Sequence, residues 1–289
     1  MEVVYTHDPK YREVKAPPST AATSVADLFR LDSRTVVVSG GTGALGTGLT
    51  AAVLEGGADV VCLDIFDTPK EADWAPVKAV AEKFGTVLSY YKCNVVDAQE
   101  VADTFAKFVP TLRHPIRGLV TCVGISINGP ATDLLAESYR KVMDVNVTGT
   151  FLIAQAVAKE VIKHGQSASM VLVASISGQI ANKGTDNSAY NPSKAAVIQL
   201  ARSLASEWGS RIGIPLIRVN TLSPGFIRTA ALQVALDRPG LEEAVTGDSM
   251  LYRLSNVDEY RAPVLFMLSD GSSYMTGADL RVDGGMCAW

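Results

Sequence analysis

From Thr35 to Val282 the chain alternates short apolar runs of strand length with longer segments whose apolar residues recur at helical spacing. Thr35–Ser39, Asp59–Ile65, Val87–Asn94, Gly118–Val123, Met170–Ala174 and Ile217–Leu222 read as strands, with Ala278–Val282 as a last short one. Ala44–Glu55, Ala75–Phe84, Ala98–Phe108, Asp133–Asp144 with Thr150–Lys163, and Asn191–Trp208 read as helices. The strands are apolar along nearly their whole length, as parallel strands buried on both faces are. The alternation predicts an α/β fold: a single doubly wound parallel sheet with helices on both faces. Such a sheet takes ligands outside the carboxyl ends of its strands, so the chemistry is expected just after strands.

Residues 1–33 lie outside this pattern. Pro9, Pro17, Pro18 and the run Ser19–Thr23 predict an N-terminal arm ahead of one domain spanning 34–289, with Ser24–Leu31 able to form a short amphipathic turn against it. A partly ordered tail and an oligomer contact are both open for that arm. Apolar residues make up 47% and charged residues 19%, which excludes an intrinsically disordered chain. Lys and Arg number 26 against 30 Asp and Glu, and no long basic run occurs, so nucleic acid is not an expected partner. No run of ~18 uncharged apolar residues occurs and residues 1–34 lack a signal-peptide core, so no membrane partner is expected and the protein is expected to be cytoplasmic. The four cysteines show no C-x-x-C spacing and the three histidines are scattered, which points to free buried thiols and no metal site.

The first strand runs directly into Ser39-Gly40-Gly41-Thr42-Gly43-Ala44-Leu45-Gly46 and then a helix. Glycines there allow a tight turn and a close backbone approach to a pyrophosphate, whose charge the helix start favours. Asp64, 18 residues after Gly46 at the end of the second strand, is placed to accept hydrogen bonds from an adenosine ribose. A second constellation, Tyr190-Asn191-Pro192-Ser193-Lys194, opens a helix. Positions i and i+4 share a helix face, so a phenol and an ammonium can enter one crevice, where the cation favours negative charge on the phenol oxygen.

Taken together and in order, these residues resemble the short-chain dehydrogenase/reductase family from Thr35 to Gly285, a Rossmann-type fold. The family's glycine motif corresponds to Ser39-Gly40-x-x-x-Ala44-Leu45-Gly46, with Gly41-x-Gly43-x-x-Gly46 as an alternative phasing. Its Asp-Val after the third strand corresponds to Asn94-Val95, its helix-borne Asn to Asn146, and its Pro-Gly turn to Pro224-Gly225 ahead of Ile227 and Thr229. Its Asn-Asn-Ala-Gly is replaced by Thr121-Cys122-Val123-Gly124, which removes the amide side chains that brace the sheet there. The catalytic serine has two candidates. Ser177 lies 13 residues before Tyr190, and Ser175 lies 15 before it. The Ser-x-x-Gly pattern and the expected strand end at Ala174 select Ser175.

The resemblance implies hydride transfer between a nicotinamide cofactor and a secondary alcohol or ketone. Ser175 would hydrogen-bond the carbonyl oxygen, Tyr190 would donate the proton, and Lys194 would assist Tyr190 and hold the nicotinamide ribose. Asn146 would position a water linking Lys194 to solvent. Gly40, Thr42, Gly43, Leu45, Gly46, Asp64, Asn94, Val95, Gly124, Pro224, Gly225, Ile227 and Thr229 would line the cofactor, with Ile227 and Thr229 at its carboxamide. Asp64 favours NAD over NADP, although the loop Ile65–Asp73 can fold Lys70 back toward a 2′-phosphate. The arm, the Ser–Tyr spacing and the ending Thr276–Trp289 are similar to fungal polyol dehydrogenases and ketose (xylulose) reductases, which suggests a polyol or ketose substrate. A bulkier ketone, suited to Ile125, Ile127 and Phe226, is the alternative, and a nucleotide-binding regulatory or scaffold protein is the rival from another class. The stretch Phe226–Asn256 reads as a substrate lid or a structural hairpin. The helices Thr150–Lys163 and Asn191–Trp208 are apolar on more than one stripe, which predicts a homodimer or homotetramer.

Overall fold

The computed structural model describes residues 14, 23–229, 232–233 and 240–289. Most of the expected N-terminal arm, and part of the stretch after Phe226, therefore lie outside the described residues.

Seven parallel strands form: β1 (Thr35–Ser39), β2 (Asp59–Asp64), β3 (Leu88–Lys92), β4 (Ile116–Thr121), β5 (Ala168–Val173), β6 (Ile217–Pro224) and β7 (Asp279–Val282). Their order is β3-β2-β1-β4-β5-β6-β7, so the winding reverses between β1 and β4. Every residue of β1, β2, β5 and β6 is buried, as suits their mostly apolar character, with Asp59, Asp64, Arg218 and Asn220 buried among them. β3 is an edge strand and only half-buried, which explains its amphipathic sequence Leu-Ser-Tyr-Tyr-Lys.

Successive residues of each strand supply opposite cores. Val36, Val38, Val60, Cys62, Val120 and Leu222 face α2 (Ala44–Glu55), α3 (Glu71–Phe84) and a later helix Arg261–Leu268. Val37, Val61, Leu63, Leu119, Met170 and Val219 face α4 (Ala98–Phe108), α6 (Gly149–His164) and α7 (Tyr190–Trp208). Before β1, the turn predicted near Ser24 forms as α1 (Val25–Leu28), with the Ser24 side chain accepting from Asp27 N at 3.1 Å. Leu31 behind it is fully buried and ties its N–H to Gly56 O at 2.8 Å.

Several expectations need correction. The helix expected from Ala75 starts at Glu71, because Pro76 lies inside the helix rather than marking its entry. The two segments expected at Asp133–Asp144 and Thr150–Lys163 join into one run, α5 (Ala136–Met143) and α6, through a π-helical turn at Asp144–Thr148. That run is long and apolar enough, by length and composition, to cross a membrane, which Lys159 and Glu160 had hidden from a search for uncharged stretches. In the fold, its Ile153, Val157 and Val161 are fully buried in the core under α6. Within the stretch Phe226–Asn256, expected to carry helix as a lid or hairpin, α8 (Leu241–Gly247) forms, and a further helix, α9 (Arg261–Leu268), was not anticipated and buries Val264, Met267 and Leu268.

Candidate active site

Parallel register brings the functional segments to one edge. Ser39 pairs with Leu63 and with Thr121, so Gly40, Asp64 and Cys122 emerge together at the switch between β1 and β4. Gly40 has φ +71°, and a Cβ there would lie 2.6 Å from Val123 N. A Cβ on Gly46 would lie 2.1 Å from Gly40 O. Both positions exclude a side chain, because the loop folds back on its own helix and on the end of β4. Ala44 is simply the first residue of α2, where a methyl is compatible with regular helix. The N-cap of α2, Gly43, has no side-chain oxygen to give the first-turn N–H groups, and Leu45 packs on the core below. An uncapped helix start behind a glycine turn fits a pyrophosphate.

The Asp64 carboxylate, 8% exposed, is held rigidly. Its Oδ2 accepts from Thr42 N at 3.1 Å and Thr42 Oγ1 at 2.5 Å, and its Oδ1 accepts from Ile65 N at 2.8 Å. Beyond it, Tyr90 Oη donates to Phe66 O at 2.5 Å and Lys92 Nζ bonds Asp67 at 2.7 Å, pinning the loop after β2. Burial pushes the Tyr90 phenol up to about 12, so it remains a donor. Lys70 is the exposed N-cap of α3. After β3, Asn94 donates its N–H to Glu100 Oε1 at 2.9 Å, and Val95 packs where a Cβ on Gly149 would lie 2.6 Å from it.

The second constellation is assembled by the π-helical turn. It carries Asn146, fully buried, whose Oδ1 accepts from Ile125 N at 2.8 Å and whose Nδ2 donates to Ile125 O at 3.0 Å and Ser193 Oγ at 2.9 Å. Ser193 Oγ in turn donates to Tyr190 O at 2.7 Å. Turns of this kind insert one extra residue and recur at functional sites. Lys194, 4% exposed, donates to Val173 O at 3.1 Å and stands 5.6 Å from the centre of the Tyr190 ring. A methyl on Gly124 would lie 3.3 Å from Lys194 Nζ and 3.5 Å from Asn146 Oδ1, so the loop after β4 closes over both. Lys194, Tyr190, Asn146 and Gly124 are thus neighbours. Ser193 is the residue that sequence reasoning quoted without giving it a task; only contacts between distant elements reveal it.

Ser175 follows β5 by two residues and caps a 3-10 turn, Ile176–Gly178, with Oγ accepting from Ser177 N at 3.1 Å. Ser177 is buried at 7% exposure, whereas Ser175 is half-buried. A Cβ on Gly178 would lie 2.7 Å from the carbonyl carbon of Lys194, so this glycine lets the serine turn pack on α7.

On the far side, Pro224 ends β6 and Gly225 N bonds Val282 O at 3.0 Å. Ile227 pairs with Ser255 in an isolated bridge, and Thr229 Oγ1 accepts from Leu232 N at 3.2 Å. The ends of the stretch Phe226–Asn256 are therefore tied together at Ile227 and Ser255. Replacing the family's amides after β4 has a visible cost: Thr121 Oγ1 is buried and finds no partner among the described residues. The four cysteines are free thiols. Burial pushes Cys122 up to about 12 and raises Cys62 further, so neither is a nucleophile here.

The comparisons agree with this geometry. The family model described as enoyl-(acyl carrier protein) reductase, within the short-chain dehydrogenases, matches residues 41–287. A short-chain dehydrogenase/reductase of Aspergillus versicolor, notP′, is 61% identical over 283 residues, 98% of this chain and 97% of the relative. An NADH-dependent L-xylulose reductase of Ambrosiozyma monospora is 34% identical over 92% of this chain and 100% of its own length. The solved structure of an NADPH-dependent 3-quinuclidinone reductase from Rhodotorula rubra superposes with a TM-score of 0.84 at 31% identity, covering 95% of this chain and 98% of that one. With a matching family model over most of its length and a relative 61% identical over 98% of it, the chain belongs to the short-chain dehydrogenase/reductase family, as an NAD(P)-dependent oxidoreductase.

Proposed function

We propose that this oxidoreductase, which interconverts secondary alcohols and ketones with NAD(P), takes a polyol or the corresponding ketose, with Tyr190 as its acid and base. The observation that carries the reading is the Tyr190–Lys194 pair at the carboxyl end of β5, beside Asn146 and the Ser175 turn. When bound, the nicotinamide supplies or accepts the hydride. Gly40–Gly46 and the start of α2 hold the pyrophosphate, Asp64 the adenosine ribose, Asn94 and Val95 the adenine, and Ile227 and Thr229 the carboxamide.

Ser175 Oγ already accepts from Ser177 N, which leaves its own proton to donate to a carbonyl oxygen as negative charge develops there. Tyr190 gives its proton to that oxygen in the reducing direction and takes it back in the oxidising one. Lys194 uses one N–H on Val173 O, so two others remain for the nicotinamide ribose, and its charge stabilises the oxygen that Tyr190 leaves behind. Asn146 braces Ile125 and Ser193 on either side of Lys194 and so keeps the approach for a relaying water. Asp64 favours NAD over NADP, since a 2′-phosphate would meet a carboxylate whose near cation, Lys92, is already paired with Asp67.

The polyol reading is supported by the ketose reductase named above. The bulkier-ketone reading is supported by the half-buried Ile125, Ile127 and Phe226 after β4 and β6. Initial rates at 340 nm with a panel of pentuloses, hexuloses and bicyclic ketones test the choice. Turnover of ketoses supports the first reading, turnover confined to bicyclic ketones the second, and coenzyme binding without turnover of any ketone rejects both for a binding protein. Assembly as a homodimer or homotetramer is supported by half-buried apolar residues on α6 and α7, among them Phe151, Ala156, Leu200 and Trp208. A monomeric mass by light scattering at micromolar concentration rejects it.

A further inference from the structure

The Asp64 carboxylate is unusually committed for a group that is to meet a ligand. A carboxylate offers about four lone-pair positions on two oxygens. Here Oδ2 receives both the N–H and the hydroxyl of Thr42, at 3.1 and 2.5 Å, and Oδ1 receives the N–H of Ile65 at 2.8 Å. Three of the four positions are therefore filled by the protein, and the one left is on Oδ1. The side chain is 8% exposed, so it cannot swing into solvent to present itself differently. Its surroundings are fixed as well. Tyr90 Oη holds Phe66 O and Lys92 is drawn to Asp67, while Lys70, the N-cap of α3, is exposed. Among the described residues, Thr42 is the single side chain that donates to Asp64.

We propose that Thr42 is a specificity-determining residue for the coenzyme: by saturating Oδ2 it fixes the carboxylate so that Oδ1 alone accepts one ribose hydroxyl and a 2′-phosphate is repelled. This rests on the reading that Asp64 meets the adenosine ribose. Thr42 is a positioning residue, acting on the coenzyme through Asp64. Without its hydroxyl the carboxylate gains a rotational choice and an unfilled lone pair, and ordering it on binding then lowers affinity for the coenzyme that lacks the phosphate.

Calorimetric titration of NAD⁺ and NADP⁺ in the absence of substrate tests this on Thr42→Val, Thr42→Ala, Thr42→Ser and Asp64→Ala, with melting temperature as the check on folding. The expected result is an NAD⁺ preference that narrows about fivefold in Thr42→Val and Thr42→Ala and returns to within about twofold of the parent in Thr42→Ser. A preference unchanged in both the Val and Ala variants, while Asp64→Ala abolishes it, overturns the role of Thr42 and leaves Asp64 as the ribose site. NAD⁺ binding unchanged in Asp64→Ala overturns the underlying reading and the proposal with it.

Discussion

Two buried cations stand at opposite ends of the sheet, and the protein treats them differently. Arg218, second residue of β6 and 7% exposed, lies at the amino end and makes five hydrogen bonds within 3.3 Å, to Ser272 O and Oγ, Met275 O, Met267 O and Ser269 O. Lys194, 4% exposed at the carboxyl end, makes one, to Val173 O. Burying a charge is costly unless it is well solvated by the protein. For Arg218 the solvation is nearly complete: its donors meet carbonyls at the end of α9 and in the turns after it, which other donors share, although burial still pulls the guanidinium down to about 10. Lys194 has no such complement among the described residues. A buried cation whose donors are all engaged is a structural part, and one whose donors remain available is a working part.

Breaking the working end has the largest expected effect. Tyr190→Phe keeps the ring beside Lys194 and removes only the hydroxyl, so coenzyme titration should be unchanged while the turnover number falls about a thousandfold, near 4 kcal/mol of barrier. Activity within about tenfold of the parent would remove Tyr190 from the chemistry.

Breaking the structural end should move stability. Arg218→Met removes one of the donors to each of four carbonyls, and all five bonds of a buried guanidinium, and should cost about 3 kcal/mol, roughly 6 °C in melting temperature at the usual scaling for a chain of this size. At 25 °C the surviving folded protein should turn over within about twofold of the parent, and a selective loss of activity without loss of stability would contradict the contrast.

A smaller effect separates the two serines. Ser175→Ala should slow turnover at least tenfold more than Ser177→Ala, about 1.4 kcal/mol, because the Ser175 hydroxyl is the half-buried one whose proton is available. The opposite order of losses would move the carbonyl contact to Ser177.

What the sequence made legible was what is local along the chain. The strand positions and the glycine loop depend on consecutive residues, and the Tyr190–Lys194 pair depends on one helical turn, so periodicity and spacing reached them. The bracing by Ser193, the latch of Thr42 on Asp64 and the five bonds of Arg218 depend on contacts across 22 to 57 positions, and no spacing rule encodes them. The π-helical turn at Asp144–Thr148 was invisible for a related reason: no spacing in Asp-Val-Asn-Val-Thr separates a π turn from an α turn, and the bulge goes with the fit of Asn146 to Ile125 and Ser193. Helix α9 escaped because it is only eight residues long and Arg261 and Pro263 in its first turn obscure an apolar face that the sheet completes.

The contrast between the two cations is tested most directly at Lys194. Initial rates at 340 nm for Lys194→Met, with coenzyme and ketone at saturation and the melting temperature recorded on the same preparation, give one answer. The account predicts a rate at least a hundredfold below the parent with a melting temperature within about 3 °C, since methionine fills the same volume without a buried charge to solvate. A rate within tenfold of the parent, or a loss of stability as large as that of Arg218→Met, would contradict it.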